Sequence, residues 1–172
     1  LYVSYDKGNN WLHHNNIPTG EFYDITVDNK KPYNIYGGVQ DDATVYGPAR
    51  EWNQSRTDVW RYLWIDPWSG GDGCVTEVDP DDPNTVYFSR QNGDGLRKDM
   101  AADTSIAIGP NRTNISKNNK LKFNFVSPYI ISPHNSKTLY HGANHALKST
   151  DRGNSWELIS GDFSNSNDPK KK

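Results

Sequence analysis

Short apolar runs, broken by clusters of Pro, Asp, Asn and Gly, set the pattern of this chain. Val27-Asp28, then Pro32, then Ile35-Tyr36-Gly37 lines up with Val78-Asp79-Pro80 and Pro83-Asn84-Thr85-Val86-Tyr87-Phe88. It lines up again with Ser132-Pro133 and Lys137-Thr138-Leu139-Tyr140-His141. Tyr36, Tyr87 and Tyr140 stand 51 and 53 residues apart. Each unit reads strand, polar turn, strand, which favours antiparallel hairpins. A repeat of about fifty residues is the size of one four-stranded blade of a β-propeller.

The predicted layout is all-β, a propeller segment of about three four-stranded blades. Residues 1–14 read as the last hairpin of a preceding blade. Blades follow at 22–66, 74–126 and 129–160, and 161–172 is a linker. In the third blade the strands are Tyr129–Ser132, Thr138–Gly142, Ala146–Ser149 and Trp156–Ile159. Between the third and fourth strands, the first two blades carry longer links, about 47–57 and 100–120. The second of these is rich in Asn, Lys and Ser and reads as a surface excursion. Trp60, Tyr62 and Trp64 alternate along one stretch and so share one strand face, expected to pack between blades. Three blades and a hairpin fall short of the four to eight blades of a closed ring. Both ends therefore read as cut from a longer chain. The expected partners are its remaining blades or a second copy.

One octapeptide pattern occurs twice. Ser4-Tyr5-Asp6-Lys7-Gly8-Asn9-Asn10-Trp11 and Ser149-Thr150-Asp151-Arg152-Gly153-Asn154-Ser155-Trp156 both read S-x-D-x-G-x-x-W. Short polar side chains can bond the backbone of a tight turn, Gly supplies a positive φ, and Trp packs back on the sheet. The pattern resembles the Asp box, or bacterial neuraminidase repeat. The resemblance implies a hairpin turn in a propeller blade, with Ser4, Asp6, Gly8, Trp11, Ser149, Asp151, Gly153 and Trp156 in structural roles. Longer stretches, Gly70-Gly71-Asp72-Gly73 with Val78–Tyr87, and Ser132–Asn144 running into Lys148–Gly153, resemble secreted sortilin-like or glycosyl-hydrolase-like propellers of bacteria. That resemblance implies an exported protein, secreted or periplasmic. It also implies one of two activities: peptide binding, as in sortilin-type propellers, or xyloglucan cleavage by paired Asp residues. The arginine triad of sialidases has no counterpart, since Arg50, Arg56 and Arg61 cluster in one blade.

Composition narrows the classes further. Only 33% of the 172 residues are hydrophobic, yet 12% are aromatic, with six Trp and ten Tyr. This suits short strands and many turns and argues against a membrane span. A net charge of −2 gives no basic face for nucleic acid. The single cysteine, Cys74, has no internal disulfide partner and reads as a small core residue. No His, Cys and Asp cluster has metal-ligand spacing, so neither metal nor cofactor is expected.

Strand order sorts the loops by face. The octapeptides mark one face. The other collects the links 38–44, 91–95, 143–145, 67–73 and 127–129. On it the expected ligand-binding residues are Gln40, Trp68, Gln91, Asn92, Asn144 and His145, which suit a glycan or peptide. Asp72 with Asp41 or Asp42 forms the candidate catalytic pair, because glycoside hydrolysis needs two carboxylates about 5–9 Å apart. The alternative for Gly-Gly-Asp-Gly is a tight turn. The favoured expectation is a binding or scaffold segment, and the alternative is a glycoside hydrolase.

Overall fold

The computed structural model describes residues 2–13, 20–50, 60–64 and 71–164, with the side chains of His13 and Trp64 left aside. A two-stranded hairpin comes first, β1 (Tyr2–Val3) with β2 (Leu12–His13). Three four-stranded sheets follow. The first holds β3 (Phe22–Val27), β4 (Asn34–Val39), β5 (Thr44–Pro48) and β6 (Arg61–Trp64). The second holds β7 (Gly73–Val78), β8 (Thr85–Arg90), β9 (Gly95–Asp99) and β10 (Thr104–Ala107). The third holds β11 (Tyr129–Ser132), β12 (Asn135–Gly142), β13 (Ala146–Ser149) and β14 (Glu157–Leu158). Every sheet is an antiparallel meander in sequence order. The first strands β3, β7 and β11 lie against one another, so the sheets are blades set around a common axis. The architecture is three consecutive blades of a β-propeller with a further hairpin.

Tyr36, Tyr87 and Tyr140 all fall in second strands. Period-two alternation explains what each buries. On β8, Val86 and Phe88 point to the first blade and pack with Tyr36 and Leu63. Between them Tyr87 points to the third blade and packs with Tyr129 and Leu139. A strand sandwiched between two blades is thus apolar on both faces. Each such side chain contributes about 1.5–3 kcal/mol by leaving water. On β12 it is Leu139 and His141 that face the second blade. Tyr140 looks the other way and is only partly buried.

Two expectations need correction. The link between β9 and β10 is only Met100–Asp103, and the excursion follows β10 instead. It runs through a 3-10 turn at Pro110–Arg112 and a short helix α1 (Asn114–Asn119). It therefore crosses to the loop face rather than extending the octapeptide face. The second correction concerns the aromatic stretch on β6. A bulge makes Leu63 the extra residue between the pairs Val45↔Tyr62 and Thr44↔Trp64. Leu63 turns into the core while Trp60 and Tyr62 lie on the other side, as alternation sends them, but that side is exposed rather than packed between blades. Trp60 lies over Gly47 of its own blade.

The two octapeptides fold alike, one joining β1 to β2 and the other β13 to β14. In the first, Ser4 Oγ donates to Asp6 Oδ1 at 2.9 Å and accepts from Gly8 N–H at 2.6 Å, while Asn10 N–H donates to Asp6 Oδ1 at 2.8 Å. In the second, Ser149 Oγ donates to Asp151 Oδ1 at 2.8 Å and accepts from Gly153 N–H at 2.8 Å, while Ser155 N–H donates to Asp151 Oδ1 at 2.9 Å. Lys7 and Arg152 share the left-handed backbone of the following glycines, with φ of 62° and 61°. For residues with a Cβ this costs roughly 1–2 kcal/mol each, which the turn's hydrogen bonds offset. Bonds from the residue-155 side chain hold the Asp151 carboxyl below its ordinary range, and bonds from the Asn10 backbone and side chain do the same for Asp6. Both carboxylates are thus charged acceptors committed to their own turns.

Candidate functional site

The loop face is built around the seam between the first two blades. Gly71-Asp72-Gly73 leads into β7 and runs beside the β4–β5 link, with a parallel bridge from Ala43 to Asp72. Ala43 N–H donates to Gly71 O at 3.0 Å. The approach is closest at Gly73, where a Cβ would come within 2.0 Å of the Ala43 carbonyl oxygen. Only glycine lets two backbones meet at that distance.

Asp72 is 6% exposed and closes this seam. Its Oδ1 accepts Asp41 N–H at 2.9 Å, and its Oδ2 accepts Tyr23 O–H at 2.8 Å. Asp41 can present its N–H because its φ of 58° is left-handed. The hydrogen bond to Asp72 pushes the Tyr23 phenol up to about 12, with desolvation second, so it stays a donor at neutral pH. Tyr23 is the extra residue of a bulge between Phe22 and Asp24 on β3. That bulge turns its ring toward the loop face, where it meets Phe125 with centroids 6.2 Å apart. Both rings remain open to solvent, at 38% and 48%. Cys74 lies beneath them, fully buried, and burial followed by the charge of Asp72 pushes its thiol up to about 11.

Each predicted site residue can now be placed. Asp72 and Asp41 meet, but through the backbone of Asp41 rather than its carboxylate. Asp42 is exposed and accepts Tyr62 O–H at 2.7 Å. Gln40 is exposed, with its N–H held by Glu21 O at 2.9 Å. Gln91 lies over Gly71, and Asn92 is exposed with a φ of 63° and its N–H on Phe125 O at 3.0 Å. Those residues share the seam. Asn144 and His145 belong to another part of the face. Asn144 Oδ1 accepts Lys122 N–H and its own N–H donates to Lys122 O, both at 2.9 Å, tying down the excursion. His145 Nδ1 lies 3.2 Å from Ser160 O. Trp68 lies outside the described residues.

Sequence reading missed Tyr23, Phe125 and an arginine pair. Arg90 and Arg112 both donate to the buried Asp94 carboxylate, at 2.8 and 2.7 Å. Tyr23 had no readable signal, because the bulge that aims it arises from pairing with β4. The arginines were legible only as charges: Arg90 lies four residues from Asp94 but Arg112 eighteen, so only the fold brings both to one acceptor.

The inner strands carry two further titratable groups. His141 is 2% exposed, edge-on to Phe123, Tyr129 and Trp156, and burial lowers it to about 4. Glu77 on β7 is raised to about 7, by burial first and by Asp24 second. Among the described residues no group of three or more His, Cys, Asp or Glu gathers as a metal site. No helix among them is long and apolar enough to cross a membrane. On the opposite face a groove runs beside Arg97, Lys98, Arg152 and Asp82. Its cations are already engaged: Arg97 with the Arg152 carbonyl, Lys98 with Asp103, and Arg152 with Asp79.

No family model matches the chain. No curated protein sequence matches it. Among solved structures it is similar to YCF48 bound to D1 peptide, with a TM-score of 0.52 and 13% identity over 92% of this chain and 46% of that one. A second similar structure is the Niastella koreensis GH74 (NkGH74) enzyme, with a TM-score of 0.49 and 16% identity over 73% of this chain and 19% of that one. The chain thus spans less than half the length of either. At these identities the likeness is one of fold, and that fold is the β-propeller.

Proposed function

We propose that this chain is a ligand-binding or scaffold segment of an exported Asp-box propeller of the sortilin-like kind, with its binding surface on the loop face. The observation that carries the reading is the state of Asp72: buried, with both carboxylate oxygens taken up by Tyr23 and Asp41. What that seam offers to solvent is mainly aromatic and amide, from Tyr23, Phe125, Gln40 and Asn92, beside the exposed carboxylates of Asp41 and Asp42. Exposed rings beside amides suit an extended peptide, which binds by apolar contact and by paired hydrogen bonds. The peptide bound to YCF48 supports a peptide as occupant. Export rests on the resemblance of the repeated octapeptide and of the Gly70–Tyr87 stretch to secreted propellers.

A second reading, glycoside hydrolysis, is favoured by one observation: the links bearing Asp72 and Asp41–Asp42 do meet across a blade seam. It requires a carboxyl free to protonate a leaving oxygen.

Screening the chain against a peptide library and xyloglucan oligosaccharides separates the two. The binding reading expects peptide capture that weakens about tenfold, or about 1.4 kcal/mol, in Tyr23→Ala and Phe125→Ala. It also expects no reducing sugar release from xyloglucan. Sugar release that disappears in Asp72→Asn would establish the hydrolase instead.

A further inference from the structure

The two open rings of the first seam stand among carboxylates. Tyr23 reaches from β3 across to the second blade, where its O–H bonds Asp72 Oδ2 at 2.8 Å and its ring meets Phe125. This chain supplies both walls of the seam: β3 and the β4–β5 link on one side, Gly71-Asp72-Gly73 and the end of the excursion on the other. The ring planes are inclined at 56° with centroids 6.2 Å apart, and both rings stay open to solvent. The face of such a ring carries the negative side of its quadrupole.

The charges beside those rings share that sign. Asp72 lies buried, and both of its oxygens are held by neutral donors, Tyr23 O–H and Asp41 N–H. Asp41 and Asp42 are exposed on the β4–β5 link, and Glu21 is exposed just before β3. Glu21 stands near the phenol, because its charge adds to the rise of Tyr23 after the hydrogen bond to Asp72, desolvation and the charge of Asp72. Among the described residues no Lys or Arg forms an ion pair with Glu21, Asp41, Asp42 or Asp72. Arg90 and Arg112, on the neighbouring β8 and the excursion, are both committed to Asp94. Lys122 is anchored by its backbone to Asn144, on the side of the third blade. A charge set in a poorly hydrated seam acts on its surroundings more strongly than one in water.

We infer that the occupant of this seam is a peptide that lays a lysine or arginine side chain against Tyr23 and Phe125, with its charge toward Glu21, Asp41 and Asp42. The inference rests on the peptide-binding reading of the loop face and specifies what such a peptide must carry. The aliphatic stem of the side chain covers the rings. Its cation comes within about 6 Å of a ring centroid, where the ring face attracts it. It also brings the countercharge that Asp72 lacks within the described chain. An acidic residue at the same place would meet only like charge and is rejected.

Pools of N-acetylated, amidated peptides test it by capture on the immobilised 172-residue chain. The pools are random in Ala, Gly, Ser, Leu and Tyr except at one fixed central residue, which is Lys, Nε-acetyl-Lys, Leu or Glu. The Lys pool is expected to be captured about tenfold more than the acetyl-Lys pool, and the Glu pool least. Asp41→Asn and Phe125→Leu should each cut that ratio about threefold or more. Asn accepts the left-handed backbone of Asp41, and Leu at 125 keeps an apolar side chain there; circular dichroism checks that both variants fold. Asp81→Asn removes the same charge from an exposed turn on the opposite face and should leave the ratio as it was. Equal capture of the Lys and acetyl-Lys pools overturns the inference and leaves peptide binding standing. A ratio unchanged in both Asp41→Asn and Phe125→Leu puts the cation elsewhere and overturns it too. So does an equal fall in Asp81→Asn, which would make the preference one of overall charge. Capture of no pool removes the peptide reading itself, and the inference with it.

Discussion

Trp156→Phe and Trp11→Phe make the same change at equivalent positions of one motif, and their costs should differ. At position 156 the substitution removes the indole N–H from the Ile108 carbonyl, a 2.7 Å bond at a residue only 4% exposed. Leaving that carbonyl without its donor costs about 1–2 kcal/mol. The smaller ring also loses part of its contact with Ile108, Tyr129 and Leu139. For a half-buried ring this adds about 1 kcal/mol. The sum is about 2–3 kcal/mol. A chain of this length loses about 2–4 °C in Tm for each of these, so a fall of about 4–12 °C is expected. At position 11 the indole is 63% exposed and has no such acceptor among the described residues. The change there should stay within about 0.5 kcal/mol. Urea and thermal unfolding of dilute protein, followed by far-ultraviolet circular dichroism, measures both. Equal losses at the two positions would refute the claim that docking on the preceding blade, rather than the turn itself, sets the value of the tryptophan.

Other outcomes follow from the same geometry. Gly73→Ala drives a Cβ to 2.0 Å from the Ala43 carbonyl and should cost about 3 kcal/mol. Gly161→Ala meets nothing within 4 Å and should stay within about 0.5 kcal/mol; comparable melting of the two variants would contradict a backbone-on-backbone seam. Stability against pH should be nearly flat between about 4.5 and 6.5, because two groups oppose each other. His141, lowered to about 4, makes the unfolded chain bind more protons there, so stability rises with pH. Glu77, raised to about 7, makes the folded chain bind more, so stability falls with pH, each effect being on the order of 3 kcal/mol. Glu77→Gln should expose the rising slope and His141→Leu the falling one, and a flat profile in either variant would count against the assignment. Cys74, fully buried with its thiol pushed to about 11, should resist alkylation at pH 8 until urea unfolds the chain; rapid labelling of native protein would show the seam to be open.

The repeat spacing and the octapeptides were enough to indicate antiparallel four-stranded blades and to mark two turns built on a Ser, an Asp and a Gly. The reason is locality. The bonds that the Ser149 and Asp151 side chains make within the turn span two to four residues, so the sequence contains both partners in one window. The second strands were legible for a related reason, since a strand between two blades must be apolar on both faces. What the sequence could not show is what each residue meets across a seam. Gly-Gly-Asp-Gly is compatible with a turn or an active site, and only Tyr23 and Asp41, 49 and 31 residues away, decide what the Asp72 carboxylate holds. The bulge at Tyr23 re-aims its ring toward the loop face, and a bulge depends on the pairing of two strands rather than on either alone. The two octapeptides carry the same local code, yet one tryptophan is docked and the other bare. That difference lies in the blade opposite, which only the tertiary structure supplies.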